Sequence, residues 1–151
     1  RPFVEGWVDL RTLVNYTDKL DLVDGARTRH FAGNTEITAT QGIGGQPHWR
    51  FNSTVGYRAD TWRANLTGRY VGGGILTEDF NVDKRRVSGR LYFDLSAEAT
   101  VHSDDADHRI AVFATILNIA DKDPPITQTG TARTLYDVFG RVYTVGLRAS
   151  F

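Results

Sequence analysis

Apolar and polar residues alternate along most of this chain with a period of two, the period of a β-strand rather than of a helix. In residues 4–16 one face carries Val8, Leu10, Thr12, Val14 and Tyr16, and the other Trp7, Asp9, Arg11, Leu13 and Asn15. Residues 50–58 set Phe51, Ser53, Val55 and Tyr57 against Arg50, Asn52, Thr54, Gly56 and Arg58. Residues 61–72 set Trp62, Ala64, Leu66, Gly68 and Tyr70 against Arg63, Asn65, Thr67 and Arg69. Residues 91–101 alternate Leu91, Phe93, Leu95, Ala97, Ala99 and Val101 with Tyr92, Asp94, Ser96, Glu98 and Thr100. Ala and Glu in 94–99 also suit a helix, but the alternation on both sides favours a strand. Residues 109–118 carry Ile110, Val112, Ala114 and Ile116 on one face, with Phe113 and Leu117 blurring the other. Residues 141–151 set Tyr143, Val145, Leu147, Ala149 and Phe151 against Thr144, Gly146, Arg148 and Ser150.

The pattern predicts an all-β, antiparallel, up-and-down meander of about six long strands. Each is about ten residues, the length of a tilted strand crossing a bilayer, whereas soluble strands more often run about five or six. The connections alternate in length: 59–60 and 103–107 are tight, while 17–49, 73–90 and 119–140 are long. Short turns at one end and long loops at the other are the layout of an outer-membrane barrel. Pro2, Pro47, Pro124 and Pro125 all fall outside the strand interiors, as a residue without an amide hydrogen must.

Alternation alone serves a soluble sandwich equally well, with the apolar face inward. Strand length, loop asymmetry and aromatic placement favour the membrane. Trp7, Tyr16, Trp49, Tyr57, Trp62, Tyr70 and Tyr143 lie near strand ends, where aromatic girdles meet lipid headgroups. On this reading Arg50, Asn52, Arg63, Asn65, Arg69, Asp94 and Glu98 face a lumen, and Arg63 and Arg69 pair with Asp94 and Glu98 across strands in a register the sequence does not give. Six strands cannot close a barrel of this kind, which begins at eight, so further strands are expected upstream.

Composition changes this picture little. The 151 residues carry 18 basic and 18 acidic side chains, net charge zero, with no basic stripe to suggest a nucleic-acid partner. Cysteine is absent, which removes disulfides and thiolate metal sites. The chain starts at Arg1 and lacks Met, so a processed or partial chain is expected. Mean hydropathy is −0.34, a value compatible with membrane barrels because only alternate residues meet lipid.

Two segments are distinctive. The first is Asn118-Ile119-Ala120-Asp121-Lys122-Asp123-Pro124-Pro125. The second begins Tyr136-Asp137-Val138-Phe139-Gly140-Arg141 and runs through Tyr143, Gly146 and Arg148 to Phe151. Both resemble the C-terminal end of TonB-dependent outer-membrane receptors. Asn15-Tyr16-Thr17-Asp18-Lys19-Leu20 and Pro47-His48-Trp49-Arg50-Phe51-Asn52 resemble segments of the same family. Thr144, Gly146, Ala149 and Phe151 resemble the terminal barrel-assembly signal, with Ala149 smaller than usual. The resemblance implies that residues 1–151 are the last six strands of a 22-stranded barrel, with plug, TonB box and earlier strands lying upstream. It implies an outer-membrane location in a Gram-negative bacterium and energy-dependent import of a scarce ligand: an iron–siderophore chelate, cobalamin or a carbohydrate. The implied partners are membrane lipid and lipopolysaccharide, the TonB complex through the N-terminal part, the barrel-assembly machinery and the small-molecule ligand. A passive porin, a barrel enzyme and a soluble β-sandwich are the rival readings.

Other chemistry is sparse. His30, His48, His102 and His108 have no metal-ligand spacing. Asp104, Asp105 and Asp107 lack the Gly and closing Glu of an EF-hand loop. Gly42-Ile43-Gly44-Gly45 is followed by neither Lys-Ser/Thr nor a helix, so it is no phosphate loop. The Asn-x-Ser/Thr triplets at Asn15, Asn52 and Asn65 fall on or near strands. Lys84-Arg85-Arg86 is expected to be a solvated loop, with an anionic ligand or lipopolysaccharide phosphate as the other reading. No catalytic constellation can be assembled, and the expectation is a non-enzyme without cofactor or metal.

Overall fold

The computed structural model describes residues 5–35, 45–75, 86–103, 108–125 and 135–150. Arg1, Pro2, Gly42, Ile43, Gly44, Lys84, Arg85, Asp104, Asp105, Asp107 and Phe151 lie outside the described residues. The described residues form ten strands and no helix, so none is a helix long and apolar enough to span a membrane.

Six long strands make one antiparallel sheet: β1 (Gly6–Tyr16), β4 (Trp49–Ala59), β5 (Trp62–Val71), β8 (Arg90–Ser103), β9 (Arg109–Leu117) and β10 (Val142–Ser150). They lie side by side in chain order, the meander expected from the alternation. Their bounds agree with the sequence pattern to within one or two residues. Two short hairpins sit in the long connections, β2 (Asp21–Asp24) with β3 (Arg27–His30), and β6 (Gly74–Ile75) with β7 (Arg86–Val87). The two-residue turn between β2 and β3 is Gly25-Ala26, with glycine at the first central position at φ +59°, as a two-residue hairpin of this kind requires.

The register carries side-chain parity from strand to strand. Leu10, Val55, Leu66, Leu95, Ile116 and Tyr143 stand opposite one another in sequence across all six strands. The apolar sets therefore merge into one continuous face. One register shift occurs between Thr100 and His102, so Val101 drops out of the alternation.

On the interior strand β8 burial runs opposite to that of a soluble sheet, while both faces of β1 and nearly all of β10 are exposed. On β8, the apolar Phe93, Leu95, Ala97 and Ala99 are exposed, while Tyr92, Asp94, Ser96, Glu98 and Thr100 on the other face are half-buried or buried. Leu66, at the middle of the sheet, is 43% exposed and Leu147 is 74% exposed. No second layer among the described residues covers this face. The small apolar cluster that does exist lies at the long-connection end, where Val87 and Tyr136 pack with Val71 and Leu135. Thr12 and Ser53, neighbours on the apolar face, hydrogen-bond each other, Oγ1 and Oγ being 2.9 Å apart.

Aromatic side chains bracket the apolar face. At the long-connection end Tyr16 meets Trp49 at a tilt, 4.6 Å between ring centroids, and Phe51 stacks on Tyr70 at 4.9 Å. At the tight-turn end Tyr57 meets Trp62 at 4.9 Å. From Trp49 to Tyr57 is about 26 Å along the strand at ~3.3 Å per residue.

Candidate functional site

The polar face and the long connections at its end hold most of the residues singled out in the sequence. Asp94 on β8 is the junction. Its carboxylate accepts from the Arg69 guanidinium of β5, including Nη2 at 3.2 Å, and from the backbone N–H of Asn118 at 2.9 Å. Arg69 reaches further, donating from Nη2 to Asp137 Oδ2 at 3.0 Å. Its guanidinium also lies 5.5 Å from the centroid of the Tyr92 ring, a cation–π distance. A single arginine thus ties β5, β8 and the segment before β10 together. Charge-assisted, forked bonds of this kind are the stronger class.

The two distinctive segments meet here. Asn118 is fully buried and sits at φ +50°, a left-handed conformation that Asn tolerates better than most residues. Its side chain closes the turn at both ends, donating from Nδ2 to Lys122 O at 3.0 Å and accepting from Lys122 N at 2.9 Å. Asp121, also left-handed at φ +51°, accepts from Arg141 N at 2.7 Å. A Cβ on Gly140 would lie 2.9 Å from the same Asp121 oxygen, so the residue before Arg141 must be small. Asp137 caps the next turn by accepting from Phe139 N at 3.1 Å. Tyr136 donates its hydroxyl to Gly72 O at 2.9 Å. Pro125 is buried and Pro124 half-buried, and Arg90 Nε donates to Asp123 O at 3.1 Å just before them. These motif residues hold the last long connection down against the polar face.

The lumen-facing set expected from the sequence shares that face. Arg63 donates to Glu98 at 2.8 Å, and Asn65 lies opposite Ser96, Asn52 opposite Arg69 and Arg50 opposite Val71. The charge partners left unnamed by the sequence are therefore Arg63 with Glu98 and Arg69 with Asp94. Arg109 and Arg148 join Arg63 around Glu98. Sequence parity put Arg148 on the polar side of the last strand but gave neither arginine a partner there. Of the assembly-signal residues, Thr144 and Gly146 lie on the polar face and Ala149 on the apolar one, opposite Thr115, Phe113 and Ile110 respectively. The Phe113 ring occupies the space a side chain at Gly146 would need.

The histidines go to separate places. His48 Nδ1 lies 2.7 Å from Thr17 O and so donates to it, and its ring stacks on Tyr16. His30 Nδ1 lies 2.7 Å from Asp21 Oδ1, and that hydrogen bond holds the Asp21 carboxyl below its ordinary pKa. Among the described residues no three His, Cys, Asp or Glu side chains converge as a metal site would require.

Comparison of the chain with family models, curated proteins and solved structures found no match.

Two outcomes follow from the loop site. Asn118→Ala loses two buried hydrogen bonds and strains the left-handed turn, so it should destabilise the fold by about 2–4 kcal/mol in urea unfolding. Asn118→Gly should recover about 1 kcal/mol of that by relieving the backbone alone. Burial pushes the Tyr136 hydroxyl up to about 12 from its ordinary 10.0. The unfolded chain then ionises this phenol first, so its contribution is intact below pH 10.0 and is lost as pH rises towards about 12. Ultraviolet titration of Tyr136→Phe should lack one late-ionising phenolate, and its stability should fall less steeply over that interval.

Proposed function

We propose that this chain is part of the wall of an outer-membrane β-barrel receptor that imports a scarce small molecule in a TonB-dependent manner. The observation that carries the reading is the reversed burial of β8, inside the sheet: exposed Phe93 and Leu95 on one face and sheltered Asp94 and Glu98 on the other, with Leu147 of β10 also exposed on the apolar face. An uncovered apolar face across six strands is unfavourable in water, at about 25 cal/mol per Å². Against hydrocarbon it costs nothing, and the aromatic pairs near both ends of the strands suit the two headgroup layers. The polar face then lines a lumen, where paired charges meet water or protein.

Hydrocarbon offers no partner to a free strand edge. Among the described residues β1 and β10 each pair on one side only, so the proposal requires further strands, which the family resemblance puts at 22 in all. The resemblance of the segments at 118–125 and 136–151 supplies the transport reading. In it the long connections face outward and help capture an iron chelate, cobalamin or carbohydrate. An upstream plug gates the lumen, and TonB engages that N-terminal part. Lipid and lipopolysaccharide surround the wall, and the barrel-assembly machinery reads the end of β10. The role of this segment is wall, outer connections and final strand, without catalysis or cofactor.

The test is uptake. Cells lacking the full gene should lose import of one ligand from a panel of radiolabelled ferric chelates, cobalamin and oligosaccharides, and regain it on complementation. Import should vanish again when TonB is deleted. Import that persists without TonB would instead identify a passive barrel.

A further inference from the structure

Away from the loop site, near the tight turns, the polar face gathers an excess of positive charge around one carboxylate. Glu98 Oε2 accepts from Arg63 Nη2 at 2.8 Å and from Arg148 Nη1 at 3.1 Å, and Arg109 Nη2 lies 3.8 Å from Oε1. The three arginines come from β5, β10 and β9, so the cluster exists only once the strands are in register. Three positive charges against one negative leave a surplus of two. Arg58 stands directly opposite Arg63 on β4, and Asp60 lines the same cleft, so four arginines face two carboxylates and the surplus stays at two.

The arginines are held in place rather than splayed. Gly146 leaves room for the Phe113 ring, and Arg148 lies 5.9 Å from the centroid of that ring on its way to Glu98. Arg109 is fixed by two bonds to Thr100 Oγ1, at 3.0 and 2.7 Å. Each guanidinium has about five N–H donors and a carboxylate about four acceptor positions. Glu98 and Thr100 therefore leave most of the donors unused. The three arginine side chains are 44%, 56% and 61% exposed, while Glu98 is only 11% exposed, so what a solute meets is the guanidiniums. Two clefts open beside them. One of about 220 Å³ is lined by Arg58, Arg63, Glu98 and Arg109 among others. The other, of about 140 Å³, is lined by Arg63, Glu98, Arg109, Arg148 and Ser150.

We propose that this cluster binds a small phosphate-class dianion beside Glu98, whose carboxylate competes with the ligand for the guanidinium donors. A planar fork of donors fits a tetrahedral oxyanion in two-point fashion. The surplus of two positive charges matches a dianion, and the clefts admit a group of phosphate size. The inference does not depend on what covers the apolar face.

Calorimetric titration of the full-length protein in detergent, at constant ionic strength set with chloride, tests it. The probes are inorganic phosphate and glycerol 3-phosphate. Saturable binding of either supports the proposal, and the one bound more tightly tells whether the natural group is the free ion or a monoester. Arg63→Gln and Arg148→Gln should each weaken binding about tenfold, the loss of one charge-assisted contact. Glu98→Gln removes the competing carboxylate and should tighten binding. A purely structural ion network predicts no tightening, and weaker or unchanged binding in Glu98→Gln overturns the site. Failure of the wild-type protein to bind either probe overturns it without recourse to any variant.

Discussion

A sheet one layer thick has two faces, and water tolerates only one kind. The register of the six long strands places Leu10, Val55, Leu66 and Leu95 in line, so their apolar area is summed rather than scattered. Most local choices agree on that outcome, with aliphatic and aromatic residues mainly on one parity and charged and hydroxyl residues mainly on the other. Trp7, Leu13, Tyr92 and Phe113 on the polar side and Thr12 and Ser53 on the apolar side depart from it. Within one layer this area can be hidden only by something outside the described residues. Aromatic pairs, Tyr16 with Trp49 and Tyr57 with Trp62, lie towards each end of the apolar face.

The polar face solves the complementary problem. Charged groups set close together on one face need partners, and here they find them across strands. Arg69, Asp94 and Asp137 form one network and Arg63, Arg109, Arg148 and Glu98 another, near opposite ends of the sheet. The first fastens the last long connection and sets one arginine against two carboxylates. The second carries surplus positive charge. The two networks differ in what they leave over, and that difference is why one reads as architecture and the other as a place for a ligand.

Much of the fold was legible because parity is a local property. Residues 50–58 alternate cleanly, and the strand found is Trp49–Ala59. The shift at Thr100 was not legible, because one extra residue on one strand leaves no compositional mark, and Val101 was assigned to the apolar face on parity that no longer holds there. The β2–β3 hairpin had a signal in Gly25, but the strands are only four residues each and were absorbed into a long loop. The site was legible in its members and not in its pairings. Asn118 and Asp137 stood out as parts of two separate segments. Their meeting around Asp94 and Arg69 depends on contacts between residues 24 and 68 positions apart, which only the register supplies. The convergence of Arg109 and Arg148 on Glu98 escaped notice for the same reason.

The central claim is that the greasy side of this ribbon touches acyl chains. The chain contains no cysteine, so single cysteines can be placed along β8 from residue 92 to 99 in the full-length protein and spin-labelled after reconstitution into bilayers. Collision rates with molecular oxygen, which concentrates in lipid, and with a water-soluble nickel chelate should then oscillate out of phase with a period of two. Labels at 93, 95 and 97 should favour oxygen, and labels at 94, 96 and 98 the chelate. Labels at 93, 95 and 97 inaccessible to both reagents would mean a protein layer covers that face, and the account would be wrong.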